Sequence, residues 1–176
     1  MNSDVIQTPP QGHFAAVNGI QMYYEMYGEG TPLVLLHWYT GTGHVWEPFI
    51  AELAQHFQLI IPDMRGHGRS SNPSKQFTHR QVAHDMYALL DELHIERCKC
   101  MGVSSGAEIL LHMATQQPTR VEAMVVVGAE IYYASHTRAI YRSLTADSPA
   151  WKSERSPSLA NASCRHLCCR TCCISS

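Results

Sequence analysis

Gly102-Val103-Ser104-Ser105-Gly106 decides the fold of this chain, because it joins a strand pattern to a helix pattern. An apolar stretch ends at Val103, and a helical pattern begins near Ser105. A serine with a glycine two positions away on each side is typical of a sharp strand-to-helix turn that exposes a nucleophile. The helix N-terminus would favour negative charge that develops there. The pattern therefore predicts Ser104 as a nucleophile, the alternative being an ordinary loop serine.

Strand and helix patterns alternate on both sides of this turn. Strands are predicted over residues 14–17, 21–27, 32–37, 57–62, 98–103 and 121–127, and helices over 46–55, 78–93 and 105–116. Several of these strands are almost continuously apolar, as strands buried on both faces are. Asn18-Gly19 is a strong hairpin signal, so an antiparallel hairpin is expected before the parallel core. The sequence predicts an α/β fold with a mostly parallel sheet of about six strands.

The composition excludes several kinds of partner. The 176 residues are 45% hydrophobic and 16% charged, as in a globular domain, and the formal net charge is -2. This balance offers no basic surface for nucleic acid or an anionic membrane, and a small neutral or mildly polar substrate fits better. No apolar run resembles a signal peptide or a membrane span, so a cytoplasmic protein without a disulfide framework is expected. We expect no cofactor and no metal.

Three segments together resemble the α/β-hydrolase superfamily over residues 14–148. They are Leu-Leu-His-Trp-Tyr-Thr-Gly-Thr-Gly at 35–43, Pro-Asp-Met-Arg-Gly-His-Gly-Arg-Ser at 62–70, and the turn around Ser104. The resemblance implies that the backbone N–H groups of Tyr39 and Ser105 form the oxyanion hole. Trp38 stands where the family usually has glycine, which would conflict with a positive φ at that position. The same resemblance implies a structural role, not a catalytic one, for His67.

The resemblance also implies an acid and a histidine after Ser104, following strands seven and eight. The sixth predicted strand ends at Val127, and Glu130 just beyond it is a candidate acid or, alternatively, an exposed charge at the rim of the pocket. His112 falls inside the helix after the turn, whereas His136 and His166 follow no eighth strand. We therefore expect a truncated domain in which strands seven and eight and the catalytic histidine are absent.

The composition changes near residue 150. We expect residues 1–148 to be the N-terminal part of the hydrolase domain and 149–176 to be an aberrant, poorly ordered cysteine-rich tail. Cys169 and Cys172 form a C-x-x-C near His166, which suggests zinc, but the second ligand pair of a structural site is absent. An altered reading frame is the favoured explanation, because the composition changes where the family pattern is lost.

The leading functional hypothesis is a hydrolase of small carbonyl compounds, such as esters or lactones, that forms an acyl-enzyme at Ser104 and is inactive in this truncated form. One alternative is a non-catalytic remnant that keeps the substrate pocket. Another is a dinucleotide-binding domain, because Gly41-Thr42-Gly43 lies between a strand and a helix. Trp46 argues against it, since the dinucleotide fingerprint needs glycine there for close packing of helix and strand.

Overall fold

The computed structural model describes residues 11–130, which form six strands and three α-helices. The strands are β1 (Gln11–Val17), β2 (Ile20–Tyr27), β3 (Thr31–Leu36), β4 (Phe57–Pro62), β5 (Cys98–Val103) and β6 (Val121–Val127). The helices are α1 (Glu47–Leu53), α2 (His79–Glu92) and α3 (Ser105–Gln116), and a 3-10 helix, Gly43–Trp46, precedes α1. The predicted bounds of β4, β5, β6 and α3 agree with the structure.

The six strands form one sheet in the order β1-β2-β4-β3-β5-β6. β1 and β2 form the predicted antiparallel hairpin, and β2 is also antiparallel to β4. The pairs β3·β4, β3·β5 and β5·β6 are parallel. Asn18 and Gly19 close the hairpin with φ values of 44° and 76°, the left-handed conformation that a tight two-residue turn needs. The predicted α/β fold is confirmed.

Helices cover both faces of the sheet, which explains the nearly continuous apolar pattern of β3 and β4. Val34, Leu36 and Ile60 pack on the face covered by α2 and α3. Leu33, Leu35, Leu59 and Ile61 face the other way, toward α1. Alternate residues of each strand thus enter opposite cores, so neither face can carry polar side chains without leaving them unsatisfied.

The first predicted helix, over 46–55, is wrong at both ends. The chain enters a 3-10 helix at Gly43, and α1 runs only from Glu47 to Leu53. Trp46 is 4% exposed and packs in the core beside Ile50, so tertiary burial, not helical periodicity, fixes where this segment turns. Pro48 follows at the start of α1, where its missing N–H leaves no intrahelical bond unmade.

β6 is the outermost strand among the described residues on its side of the sheet, and its last three residues are exposed valines: Val125, Val126 and Val127.

Cys98 and Cys100 of β5 are buried free thiols with sulfur atoms 3.6 Å apart. In the described part of the chain, no helix is long and apolar enough to cross a membrane, and no group of three or more His, Cys, Asp or Glu side chains could hold a metal.

Several predictions lie outside the described residues. They concern the tail at 149–176 and its zinc alternative at His166, Cys169 and Cys172, as well as His136. The division of the chain near residue 148 and the loss of strands seven and eight therefore stay predictions.

Candidate active site

Ser104 lies at the turn between β5 and α3 with φ 55° and ψ −120°, a conformation that non-glycine residues rarely adopt. Such a backbone costs about 1 to 3 kcal/mol and persists only where the surroundings hold it. Here the Ser104 N–H donates to the carbonyl of Val127 at 2.8 Å, and the Glu108 N–H donates to the Ser104 carbonyl at 3.1 Å. The turn is therefore fixed from β6 on one side and from α3 on the other.

Gly102 and Gly106 are required because neither position has room for a side chain. A Cβ on Gly102 would lie 2.7 Å from the carbonyl carbon and oxygen of Gly106. A Cβ on Gly106 would lie 2.4 Å from the carbonyl oxygen of Leu36 and 2.6 Å from that of His37. These backbone contacts explain the spacing of the motif: the helix leaves the strand so sharply that its first turn touches both β5 and the end of β3.

The family resemblance predicts that the backbone N–H groups of Ser105 and Tyr39 form an oxyanion hole. Ser105 is the first residue of α3, so its N–H has no partner within the helix. Tyr39 lies three residues beyond the last residue of β3, which pairs with Gly102 of β5. Among the described residues, neither the Ser105 N–H nor the Tyr39 N–H donates a hydrogen bond. Both amides predicted for the oxyanion hole therefore have no acceptor within residues 11–130.

Trp38 does not distort this loop as the sequence suggested. Its φ is not positive, so its Cβ creates no conflict of the kind that glycine avoids. The Gly41 N–H donates to the Trp38 carbonyl at 2.9 Å and closes a tight turn. The loop at Trp38 therefore has an ordinary backbone that accepts a side chain.

The segment after β4 holds the Tyr39 loop in place. His67 contacts the carbonyl oxygen of Tyr39 through Nε2 and that of Arg65 through Nδ1, the latter at 3.0 Å. The His67 ring also packs against the rings of Tyr39 and Phe77. These contacts give His67 the structural role that the family resemblance implied.

Asp63 organises the same segment from its start. One carboxylate oxygen accepts the Gly43 N–H at 2.7 Å, and the other accepts the Arg69 N–H at 2.9 Å. A Cβ on Gly68 would lie 2.1 Å from this carboxylate, so glycine is required there. Because the Gly43 amide is bound to Asp63, it is not free for the pyrophosphate that a dinucleotide-binding loop would hold.

His37 was not singled out from the sequence, yet it joins the two loops. It is 0% exposed; the Met64 N–H donates to its Nε2 at 3.0 Å, and its Nδ1 lies 2.7 Å from the Trp38 carbonyl. Burial lowers the pKa of His37 to about 4. The ring is therefore neutral near pH 7, with the hydrogen on Nδ1, and its ring nitrogens are occupied by the backbone.

Arg65 and Asp85 form a buried ion pair beneath the loop. The guanidinium binds both carboxylate oxygens, at 2.5 and 2.8 Å, and the two side chains are 2% and 0% exposed. Asn18 of the hairpin turn donates to the same carboxylate at 3.0 Å. The pair thus connects the segment after β4 with α2 and with the hairpin.

No proton acceptor reaches Ser104 in the described part of the chain. Within residues 11–130 its hydroxyl has no hydrogen-bond partner. His112 lies on α3, as predicted, with its ring 6.4 Å from that of His79. Glu130 lies three residues beyond the end of β6, whose last residue, Val127, binds the Ser104 N–H. The Glu130 backbone N–H donates to the Glu108 carboxylate at 3.3 Å. No described contact joins the Glu130 carboxylate to a histidine.

A second contact near the elbow was missed by the sequence analysis. His79 at the start of α2 contacts the Glu108 carboxylate through Nδ1 at 3.1 Å, and both side chains are largely buried. Burial lowers the pKa of His79 to about 4. The sequence does place Glu108 in the first turn of α3, where the helix dipole stabilises a carboxylate. Nothing in the sequence indicates that His79 lies next to it.

These features agree with comparisons against known proteins. A family model described as the alpha/beta hydrolase fold matches residues 31–169. The chain belongs to the α/β-hydrolase family. Among curated relatives of this hydrolase are the soluble epoxide hydrolase of Corynebacterium sp., 33% identical over 65% of the chain and 40% of the relative, and the pimeloyl-[acyl-carrier protein] methyl ester esterase of Nitrosospira multiformis, 34% identical over 62% of the chain and 42% of the relative.

A similar solved structure is the enol-lactonase from Burkholderia xenovorans, with a TM-score of 0.71 and 28% identity over 78% of this chain and 54% of that one. The α/β-hydrolase chain thus spans about two-fifths of the length of these curated relatives. The region matched by the family model includes strands β3 to β6 and the turn at Ser104, whereas β1 and β2 precede it.

Proposed function

We propose that this α/β-hydrolase acts on small carbonyl compounds, esters or lactones, through an acyl-enzyme on Ser104. The observation that carries the proposal is the strained backbone of Ser104 between two glycines that have no room for a side chain. Strain of this kind is retained where it serves a purpose, and here it presents a hydroxyl at the edge of the sheet. The esterase and lactonase names of relatives support the substrate class.

In the proposed reaction, Ser104 Oγ attacks the substrate carbonyl carbon and the ester oxygen leaves with a proton. The tetrahedral oxyanion accepts hydrogen bonds from the backbone N–H groups of Ser105 and Tyr39, which are unused within residues 11–130. Water then cleaves the acyl-enzyme and restores the Ser104 hydroxyl. His67 and His37 act indirectly, because their contacts fix the loop that carries Tyr39.

The attack needs a base, and residues 11–130 bring no histidine to Ser104. Glu130 is proposed as the acid that would orient a histidine, because it follows the strand end bound to Ser104. Without such a histidine Ser104 keeps the high pKa of an ordinary alcohol, so we propose that the 176-residue chain turns over slowly or not at all. A non-catalytic remnant with a substrate pocket is the competing hypothesis.

Labelling with a fluorophosphonate in the presence and absence of imidazole tests the nucleophile. Imidazole in solution supplies the base, so the rate of labelling at Ser104 should rise with imidazole concentration if the proposed amides bind the oxyanion. Peptide mass spectrometry locates the label. Ser105→Ala is the matched control, since it removes a neighbouring hydroxyl and keeps the backbone N–H, and it should still be labelled. Label that persists in Ser104→Ala, or that is spread evenly over the serines, would refute the proposal.

A further inference from the structure

Trp38 lies at the same edge of the sheet as Ser104, and the proposed reaction does not use its side chain. β3 and β5 run parallel, with Leu36 opposite Gly102. Trp38 and Ser104 each lie two residues beyond this pair, so both emerge at the carboxyl edge of the sheet. The contact of Gly106 with the His37 carbonyl confirms that the first turn of α3 meets the chain one residue before Trp38.

The indole is large, exposed and held in place. Trp38 is 40% exposed, whereas Trp46 a few residues later is 4% exposed. The Trp38 backbone is fixed through its carbonyl, which contacts Gly41 N–H and His37 Nδ1. A Cβ on Gly41 would lie 3.1 Å from the indole Nε1, so the pyrrole side of the ring rests on this glycine. A fixed backbone under an exposed ring favours a preorganised contact surface over a loosely attached side chain.

An apolar side chain lies close to the ring. Besides Trp38, the side chain nearest to the Gly41 position is Val45, whose Cγ1 would lie 3.1 Å from a Cβ there. Ligands of open α/β sheets bind outside the carboxyl ends of the strands, and pockets there are lined mainly by apolar and aromatic groups with a few polar atoms. An indole with an apolar neighbour therefore suits a neutral, flat group.

We propose that Trp38 is a specificity-determining residue whose indole contacts the substrate group next to the scissile carbonyl and selects flat, uncharged rings. This inference rests on the proposed function, since it assigns Trp38 to the substrate of Ser104. An aromatic group gains offset stacking on an indole that a saturated ring of the same size does not, worth roughly a two- to tenfold difference in affinity. Esters and lactones with an aromatic or other planar ring would be preferred.

The test compares the binding of benzamide with that of cyclohexanecarboxamide by ligand-observed NMR. Both are neutral carboxamides on six-membered rings, and only the first is flat. We expect the wild-type chain to prefer benzamide, Trp38→Phe to keep the preference, and Trp38→Leu to lose roughly two- to tenfold of it. Phe49→Leu is the matched control, because Phe49 is 53% exposed but lies on α1, and it should leave the preference unchanged.

These amides do not acylate a serine, so the ratio can also be measured in Ser104→Ala. Absence of fluorophosphonate labelling would overturn the proposed function. The assignment of Trp38 would be overturned by an unchanged ratio in Trp38→Leu, by equal binding of the two amides to the wild type, or by an equal loss in Phe49→Leu.

Discussion

Replacing Gly106 by alanine tests whether the contact of α3 with β3 determines the geometry of the elbow. Inside a helix this change ordinarily stabilises by up to about 1 kcal/mol, because glycine is the poorer helix former. Here the new Cβ would lie 2.4 and 2.6 Å from the carbonyl oxygens of Leu36 and His37. Both obstacles are backbone atoms, so α3 must move away from β3.

Forcing a methyl group into a filled space typically costs about 1 to 3 kcal/mol, which exceeds the gain in helix propensity. We therefore expect Gly106→Ala to lower the free energy of unfolding in urea and to slow imidazole-assisted labelling of Ser104, because the Ser105 amide moves with the helix. Gly19→Ala is the control: it has no heavy atom within 4 Å, so only its positive φ opposes alanine, at about 1 to 2 kcal/mol, and labelling should be unaffected. A Gly106→Ala protein as stable as the wild type, with unchanged labelling, would refute the reasoning.

Two further predictions concern the buried groups under the loop. Asp85→Ala should lower the free energy of unfolding in urea by about 3 to 5 kcal/mol, because it leaves the Arg65 guanidinium buried without its carboxylate. The double variant Arg65→Met with Asp85→Leu should recover most of this loss. Equal stability of the single and the double variant would contradict the prediction. In the folded protein His37 is neutral, because burial lowers its pKa to about 4, whereas in the unfolded chain its pKa is about 6.5. As the pH falls from 6.5 toward 4, the unfolded chain therefore binds a proton that the folded protein does not, and the free energy of unfolding decreases. Between pH 7 and 5 the free energy of unfolding should fall by about 2 kcal/mol through this group. Urea unfolding of His37→Gln should therefore show a smaller pH dependence than that of the wild type. Equal pH dependence of the two proteins would refute a neutral, buried His37.

The sequence predicted the fold where local patterns are sufficient. The mostly apolar runs of β4, β5 and β6 are typical of strands in a sheet covered by helices, so their pattern predicted these strands. The pair Asn18-Gly19 is typical of a two-residue hairpin turn, so it predicted the hairpin of β1 and β2. The spacing of Gly102, Ser104 and Gly106 likewise predicted a strand-to-helix turn, because few other structures need glycine at both flanking positions.

The parts that could not be predicted depend on contacts between distant segments. Arg65 and Asp85 lie 20 residues apart, and each alone resembles an ordinary surface charge. His37 accepts the N–H of Met64, 27 residues away, so its burial follows from the meeting of two loops. Trp46, predicted as the first residue of a helix, instead lies in the 3-10 helix before α1, and its indole is buried in the core beside Ile50. Long-range packing, which leaves no local signature, decided each case.

The most direct test of the central claim is the turnover of p-nitrophenyl acetate by the 176-residue chain beside its Ser104→Ala variant, without added imidazole. The claim is that the 176-residue chain supplies the nucleophile and the oxyanion amides but no base for Ser104. Loss of a triad member in a comparable serine hydrolase costs roughly 10⁴- to 10⁶-fold in turnover, so we predict equal rates for the two proteins. A wild-type rate more than about a thousandfold above that of Ser104→Ala would contradict the claim and show that a base reaches Ser104 from outside residues 11–130.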